Sequence, residues 1–108
     1  MCCYFIASIH TATPQSQSEY RDYIRLVKPI VEQHSGVYLV RTEKLTALGS
    51  SWNPDRLIII RFPDREHLDR CFQSEEYRRI SGKRENSVDS RAVIAEGIDQ
   101  SNGEEENL

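Results

Sequence analysis

Apolar and polar positions alternate with two different periods in the first third of the chain. Residues 3–10 are rich in β-branched and aromatic side chains and predict a strand. A capping box of Ser16 and Glu19 predicts that a helix begins there. Apolar residues then recur every three or four positions and indicate one buried helix stripe. The stripe comprises Tyr20, Ile24, Val27, Val31 and His34. Pro29 should kink this helix, and Gly36 should end it.

The rest of the chain predicts three more strands and a second helical segment. These strands cover residues 37–48, 57–62 and 91–96. Residues 49–55 form the loop of a hairpin between the first two of them. Pro63 ends a strand and Asp64 caps the following helix, while Ser74 looks like a fresh N-cap within the helical segment.

This order of strand, helix, strand, strand, helix and strand predicts an α+β fold. Right-handed crossovers turn it into a ferredoxin-like βαββαβ sandwich with a four-stranded antiparallel sheet, in which the first and third strands are central. Those two strands are apolar on both faces. Because the helices can cover only one face of the sheet, a second copy of the chain should cover the other. We therefore expect a homodimer, arranged as a dimeric α/β barrel.

The negative charge of the chain is concentrated at its end. The formal net charge is −3, and the last twelve residues hold four acids and no Lys or Arg. Without those four acids the first 96 residues carry a net charge of +1. Such a body lacks the clustered positive charge of a nucleic-acid-binding surface, so no nucleic acid is expected as a partner. Residues 1–96 are expected to form the domain and residues 97–108 an acidic disordered tail.

Neither secretion nor membrane insertion is indicated by the sequence. The apolar start of the chain is too short for a signal peptide and lacks a basic region and a cleavage site. No stretch approaches membrane-spanning length, so no membrane partner is expected. Cys2, Cys3 and Cys71 do not form a disulfide framework and are expected to be reduced structural thiols. We expect a cytoplasmic protein without a metal or a cofactor.

Arg41 is the strongest pointer to a site, because a charged group in an otherwise apolar strand costs free energy unless it meets a partner. Strand alternation places Arg41 on one face with Val37 and Leu39. Arg61 and Arg91 lie in apolar strands in the same way. If the faces coincide, three guanidinium groups approach one cavity suited to a carboxylate, enolate or phosphate. Otherwise Arg61 and Arg91 reach water or a surface acid from strand ends, and Arg41 meets a carboxylate or solvent.

Three further side chains are candidate site residues. His34 ends the first helix, where it could hydrogen-bond the last carbonyls or act as a general acid or base. Tyr20 belongs to the buried stripe and could be core or line a cavity. Trp52, in the hairpin loop, could form a dimer contact or a pocket lid. His34 and Arg41 are expected to line one small pocket where the first helix meets the sheet.

An ordered set of motifs runs through residues 3–97. After the tyrosine-bearing first helix come H-x-G-x-Y-L-V-R, G-x-x-W-x-P-x-R-L, F-P, S-x-E-Y and R-x-x-S. The residues that carry them here are His34, Gly36, Tyr38, Leu39, Val40, Arg41, Gly49, Trp52, Pro54, Arg56, Leu57, Phe62, Pro63, Ser74, Glu76, Tyr77, Arg84 and Ser87. The set resembles the domain-of-unknown-function 1330 family of the dimeric α/β-barrel superfamily. Members of that family often carry a second glycine where this chain has Ser35, and an acid where it has Arg61.

The resemblance implies a ferredoxin-like monomer and a dimeric barrel, but no established reaction. Related barrels include cofactor-independent monooxygenases and small lactone isomerases. The hypothesis is thus a small-molecule-binding dimer, whose catalytic form would be an isomerase- or monooxygenase-like enzyme acting on a small anionic or polar metabolite. Arg41 and Arg61 would hold the anion, His34 would move a proton, and Tyr20 and Trp52 would shape the pocket. The alternative is a non-catalytic ligand sensor or a structural homodimer module.

Overall fold

The computed structural model describes residues 2–11, 14–49, 51–85 and 88–98. Four strands and three helices follow one another along this part of the chain. They are β1 (Cys3–Thr11), α1 (Pro14–Gln33), β2 (Val37–Thr42), β3 (Arg56–Phe62), α2 (Arg65–Gln73), α3 (Glu75–Glu85) and β4 (Val88–Glu96). The predicted tail covers residues 97–108, and its part from residue 99 onwards lies outside the described residues.

The four strands form one antiparallel sheet in the order β2-β3-β1-β4. Strands β1 and β3 are central, as the apolar character of both their faces predicts. The helices lie on one side of the sheet, which we call the helix face. The other side, the open face, has no helix against it among the described residues. This is the predicted α+β, ferredoxin-like arrangement.

The core lies between the helix face and the helices. Its most deeply buried side chains are Ile9, Val31, Phe62, Leu68 and Cys71. Burial raises the pKa of the Cys71 thiol to about 12. This cysteine is therefore a neutral packing group at pH 7, in accord with the structural role expected of it.

Helix α1 ends in a Schellman motif that differs from the predicted glycine stop. The Gly36 amide donates to the Val31 carbonyl at 2.9 Å, and the Ser35 amide donates to Glu32 at 3.1 Å. The left-handed position is Ser35, with φ of 67°. Gly36 is needed for a different reason: a β-carbon there would lie 2.5 Å from Val31 Cγ1 and 2.9 Å from a Phe62 ring carbon.

Three predicted boundaries are wrong. Helix α1 begins at Pro14, two residues before Ser16, and Pro29 lies inside it. Proline suits the first position of a helix, because an N–H at that position would have no intrahelical acceptor and its absence costs no hydrogen bond. Strand β2 ends at Thr42 rather than at residue 48, so residues 43–49 and 51–55 lie outside any strand. Strand β4 begins at Val88, three residues before Arg91.

A β-bulge in β2 overturns the predicted strand faces. The register shifts between Tyr38 and Val40, so that Tyr38 pairs with Ile60 and Arg41 with Ile58. Both side chains therefore belong to the helix face. A bulge adds one residue to one strand, and this reverses the parity of every position after it. Arg41 thus does not share a face with Val37, as simple alternation predicts.

The two predicted caps of the helical segment are present. The Asp64 carboxylate accepts a hydrogen bond from the His67 amide at 2.8 Å, which fixes the start of α2. The Ser74 hydroxyl donates to the Cys71 carbonyl at 2.7 Å and accepts from the Tyr77 amide at 3.2 Å. Ser74 therefore closes α2 and opens α3.

The open face is largely apolar. Its central strands contribute the half-buried side chains of Tyr4, Ile6, Leu57 and Ile59. Val37 and Val93, on the outer strands, are 47% and 61% exposed. Polar side chains such as Ser8, Arg61 and Arg91 interrupt this surface towards its ends.

Candidate functional site

A cavity of about 230 Å³ lies between the helix face and the helices. Its floor is made by small and aliphatic side chains of β1, β3 and β4, namely Ala7, Ile9, Ile58 and Ala92. Its walls are aromatic rings from β1 and all three helices, namely Phe5, Tyr20, Tyr23, Phe72 and Tyr77. Ligand sites are typically apolar concavities with a few convergent polar groups. We call this space the helix-face cavity.

The aromatic walls are packed against one another. Phe5 and Phe72 stack with centroids 4.5 Å apart, and Phe72 meets the Tyr77 ring edge-on at 5.0 Å. Tyr20 and Tyr23, three residues apart on α1, stack at 5.8 Å. Aromatic pairs in these geometries add stability beyond the area they bury. The walls are therefore held in fixed positions around the cavity.

The Tyr20 hydroxyl is the unsatisfied polar group of the cavity. The Tyr20 side chain is 4% exposed, and within the described residues its hydroxyl makes no hydrogen bond of normal geometry, although the Arg56 side chain lies near it. Burial raises the pKa of Tyr20 to about 12, although the nearby positive charges of Arg56 and Arg84 oppose the shift. The phenol is therefore neutral at pH 7. A buried hydroxyl without a partner costs about 1–3 kcal/mol.

The other polar groups of the cavity form a network around Arg84. The hydroxyls of Tyr23 and Tyr77 lie 3.0 Å apart, and Arg84 Nε donates to the Tyr77 hydroxyl at 3.3 Å. A terminal nitrogen of Arg84 donates to the Ser90 hydroxyl. Burial, followed by the proximity of Tyr77, raises the pKa of Tyr23 far above its ordinary range. The network ties α1, α3 and β4 together and places one guanidinium at the cavity wall.

Arg56 lies beside this cavity on β3. It pairs with Ile9, which pairs on its other side with Ser90. Its side chain is 14% exposed, and its Nε is buried without a hydrogen-bond partner within the described residues. A terminal nitrogen lies 3.5 Å from the exposed Glu43 carboxylate. Arg56 is thus an interior arginine with only a weak partner at the surface.

Arg41 lines a second, smaller space beside the helix-face cavity. This space holds about 30 Å³ and shares the walls Phe5, Tyr20 and Tyr23 with its larger neighbour. The Arg41 guanidinium lies 5.0 Å from the centroid of the Tyr38 ring, in a cation–π contact. Burial raises the pKa of Tyr38 to about 12, and Arg41 opposes the shift. The structure therefore brings Arg41 and Tyr20 together, but Arg41 itself is exposed.

The other predicted site residues lie elsewhere. His34 is half-buried, and its Nδ1 donates to the Ile30 carbonyl at 2.9 Å, which fits its helix-end role. It lines neither of the two spaces that Tyr20 lines. Arg61 and Arg91 are exposed on the open face, so the three arginines do not meet in one cavity.

Trp52 lines a third space, formed by the loop between β2 and β3. This space holds about 280 Å³ and is bounded by residues 45–49, 51–54 and 57. Trp52 is 56% exposed and Leu48 is fully exposed. This loop space offers apolar surface without the buried polar groups of the helix-face cavity. Trp52 lines neither of the two spaces that Tyr20 lines.

Sequence patterns alone missed four polar residues of the helix-face cavity. Tyr23, Tyr77, Arg84 and Ser90 come from α1, α3 and β4. Tyr77 and Arg84 belong to the S-x-E-Y and R-x-x-S motifs, which give neither residue a role in a site, and Ser90 lies outside both motifs. A possible signal was the spacing of Tyr20 and Tyr23, since positions three apart share a helix face. Nothing in the local sequence indicated that Arg84 would meet Ser90 beneath them.

The chemistry available in the cavity is hydrogen-bond donation and positive charge. Burial raises the pKa of Tyr20 and of Tyr23, so these two hydroxyls are neutral at pH 7. Guanidinium groups do not deprotonate in proteins. The described residues contain no group of three or more His, Cys, Asp or Glu that could hold a metal ion. No described helix is both long and apolar enough to cross a membrane.

Residues 3–98 match the sequence model of a protein family, the domain of unknown function DUF1330. This range includes every described strand and helix. No curated protein is detectably similar to the chain.

Several solved structures share the fold at low sequence identity. A protein of unknown function from Rhodopseudomonas palustris is 18% identical over 91% of this chain and 83% of its own, with a TM-score of 0.74. A dimeric ferredoxin-like protein from Jannaschia is 10% identical over 90% and 100% of the chains, also with a TM-score of 0.74. SnoaB, a cofactor-independent oxygenase from Streptomyces nogalater, is 8% identical over 92% and 95%, with a TM-score of 0.65. These similarities show the fold.

Proposed function

We propose that the chain, which belongs to the DUF1330 family, binds a small molecule in the helix-face cavity of each protomer of a homodimer. Membership of this family implies no particular reaction, so the proposal is argued from the cavity itself. The observation that carries the proposal is the Tyr20 hydroxyl, which is buried at the cavity without a partner. A ligand oxygen or nitrogen would supply the missing hydrogen bond.

Rigidity of the surrounding walls supports this binding function. The phenols of Tyr23 and Tyr77 are bonded to each other, and Arg84 is held by Tyr77 and Ser90. A ligand entering the cavity would therefore meet groups that are already ordered, which lowers the entropy cost of binding. Most of its surface would pack against aromatic rings.

Binding is favoured over a reaction because the cavity offers donors rather than a base. The Tyr20 phenol, with its pKa raised by burial to about 12, is protonated at pH 7, and His34 lies outside the cavity. A general base must lie within hydrogen-bond reach of the proton that it removes. The oxygenase activity of SnoaB belongs to a protein of the same fold, and fold alone does not carry a reaction.

Titration with a small neutral aromatic probe tests the proposal. We expect benzyl alcohol to shift the ring signals of Phe5, Phe72 and Tyr77 in NMR spectra with a saturable curve. The Tyr20→Phe variant should bind it about three- to tenfold more weakly, the share of one neutral hydrogen bond.

The matched control is Tyr4→Phe, the same change on the open face of the sheet. It should keep the parent affinity. The proposal fails if neither benzyl alcohol nor any other aromatic of this size, neutral or charged, shifts the cavity rings, or if both Tyr→Phe variants lose the same affinity.

The homodimer is proposed from the open face. Val37 and Val93 are exposed beside the half-buried Ile6 and Ile59, and no described helix covers them. Contiguous apolar surface of this kind marks an interaction site. Two proteins of the same fold, from Jannaschia and from Bacteroides fragilis, are described as dimeric. A second copy packed sheet to sheet would remove this surface from water.

A further inference from the structure

We propose that the ligand of the helix-face cavity carries a carboxylate, which lies between Arg56 and Arg84 and accepts a hydrogen bond from the Tyr20 hydroxyl. The inference rests on the proposed binding function and adds the chemical class of the ligand: a small carboxylic acid with an apolar, aromatic-sized body.

The sheet register places the two arginines on either side of one strand. Arg56 of β3, Ile9 of β1 and Ser90 of β4 are consecutive partners in one row across the sheet. Neighbouring strands lie about 4.8 Å apart, so the ends of this row are about 10 Å apart. Arg84 reaches the Ser90 end through its hydrogen bond to that hydroxyl. A carboxylate bound above this row would lie between the two arginines.

Tyr20 covers the same row from the helix layer. It lines the cavity together with Ile9, Arg84 and Ser90. The positive charges of Arg56 and Arg84 both act on its hydroxyl and oppose the rise of its pKa that burial causes. Two donors here are buried and make no hydrogen bond of normal geometry within the described residues, the Tyr20 hydroxyl and Arg56 Nε, and the Arg56 side chain lies close to that hydroxyl. One acceptor placed between them would satisfy both.

The charges around this row leave room for an anion. Arg56 lies 3.5 Å from Glu43, and Arg84 lies 3.7 Å from Glu85. Both carboxylates are at the surface, with side chains 74% and 62% exposed. Surface ion pairs of this kind contribute little. The positive charges of Arg56 and Arg84 both act on the Tyr20 hydroxyl, so an anion beside that hydroxyl would be attracted by both.

A carboxylate suits this arrangement better than a phosphate. Guanidinium groups bind planar carboxylates through two parallel hydrogen bonds, and a single charge costs less to bury than the double charge of a phosphate. The rest of the cavity is walled by Phe5, Phe72 and the tyrosine rings, and the Tyr23 and Tyr77 hydroxyls are already bonded to each other. Its volume of about 230 Å³ admits a benzoate-sized molecule.

Three probes of known chemistry test the inference: benzoate, benzamide and inorganic phosphate, each titrated at pH 7 by calorimetry and NMR. We expect benzoate to bind about tenfold more tightly than benzamide, its neutral isostere, because only benzoate forms charge-assisted hydrogen bonds. In the Arg56→Gln variant the ratio of the two affinities should fall about tenfold.

Arg61→Gln is the matched control, since Arg61 lies on the same strand as Arg56 but is exposed on the other face. It should keep the parent ratio. Thermal unfolding of both variants confirms that they are folded.

Each contrary result has its own meaning. Equal affinity for benzoate and benzamide overturns the carboxylate inference and leaves the binding function standing. Phosphate binding more tightly than benzoate overturns the ligand class. An unchanged ratio in Arg56→Gln overturns the role of Arg56. If neither benzoate nor benzamide enters the cavity, the proposed binding function fails as well.

Discussion

Tyr20 carries both of the roles that its place on the helix stripe allows. Its ring packs in the core against Tyr23, while its hydroxyl ends at a cavity without a partner. The stripe periodicity predicts burial, but it says nothing about what the hydroxyl meets. That depends on Arg56 and Arg84, which are far from Tyr20 in the chain. The sequence therefore predicts that Tyr20 is buried, but it does not predict which residues surround the hydroxyl.

The buried phenol has a consequence for stability in alkali. Below pH 10, its ordinary pKa, Tyr20 is protonated in both the folded and unfolded states, so it contributes no pH dependence. Between pH 10 and its folded pKa of about 12 the unfolded phenol ionises first, and the free energy of unfolding falls. The slope for one group is about 1.4 kcal/mol per pH unit.

Urea unfolding measured from pH 10 to 12 checks this expectation. The Tyr20→Phe variant should show a shallower decline than the parent by about one such slope. Tyr38, whose pKa is also raised to about 12, contributes to the decline in both proteins. Parallel curves for parent and variant would contradict the burial of a protonated Tyr20.

At the scale of elements, β2 shows how a local irregularity changes a candidate site. Residue alternation predicts that Arg41 shares a face with Val37, and the bulge after Tyr38 reverses this. Bulges depend on pairing with the neighbouring strand, so a single sequence gives little sign of them. The capping roles of Asp64 and Ser74 could be predicted, because a cap side chain accepts a hydrogen bond from a backbone amide only three residues away.

The end of α1 offers a test of local backbone strain. Ser35 takes φ of 67°, a left-handed conformation that a β-carbon disfavours and glycine accepts. Ser35→Gly should therefore raise the free energy of unfolding by about 0.5–1 kcal/mol. Chemical denaturation measures the change.

Two neighbouring variants control this test. Ser35→Ala keeps the β-carbon and should stay within a few tenths of a kcal/mol of the parent. Gly36→Ala should destabilise, because its β-carbon would press on Val31 and Phe62. A Ser35→Gly variant less stable than Ser35→Ala would contradict the assigned conformation.

At the scale of the whole molecule, the sequence predicted the topology better than the site. Element order, the central position of β1 and β3, and the two-sided apolar pattern all follow from periodicity and from the rules of chain connection. The cavity does not, because it is assembled from side chains of six elements. Its position depends on packing angles between helices and sheet that no local pattern specifies.

The proposed dimer can be tested by placing charge on the open face. Val93 is 61% exposed in the single chain and lies opposite Ile6 on β1. A sheet-to-sheet dimer would bury it, and an unpaired lysine there would cost several kcal/mol. Val93→Lys should therefore weaken dimerisation at least a hundredfold in sedimentation measurements.

Gln73→Lys adds the same charge on the exposed surface of α2 and should leave the dimer intact. Sedimentation of the parent as a monomer at micromolar concentration would contradict the proposal directly. So would equal dissociation of the two lysine variants.

The most direct test of the central claim is the position of a bound probe, measured by intermolecular NOEs from benzoate to the protein. The account predicts contacts to the rings of Phe5, Tyr20 and Phe72, which wall the helix-face cavity. Contacts instead to Trp52 and Leu48 would place the probe in the loop space between β2 and β3 and would contradict the account.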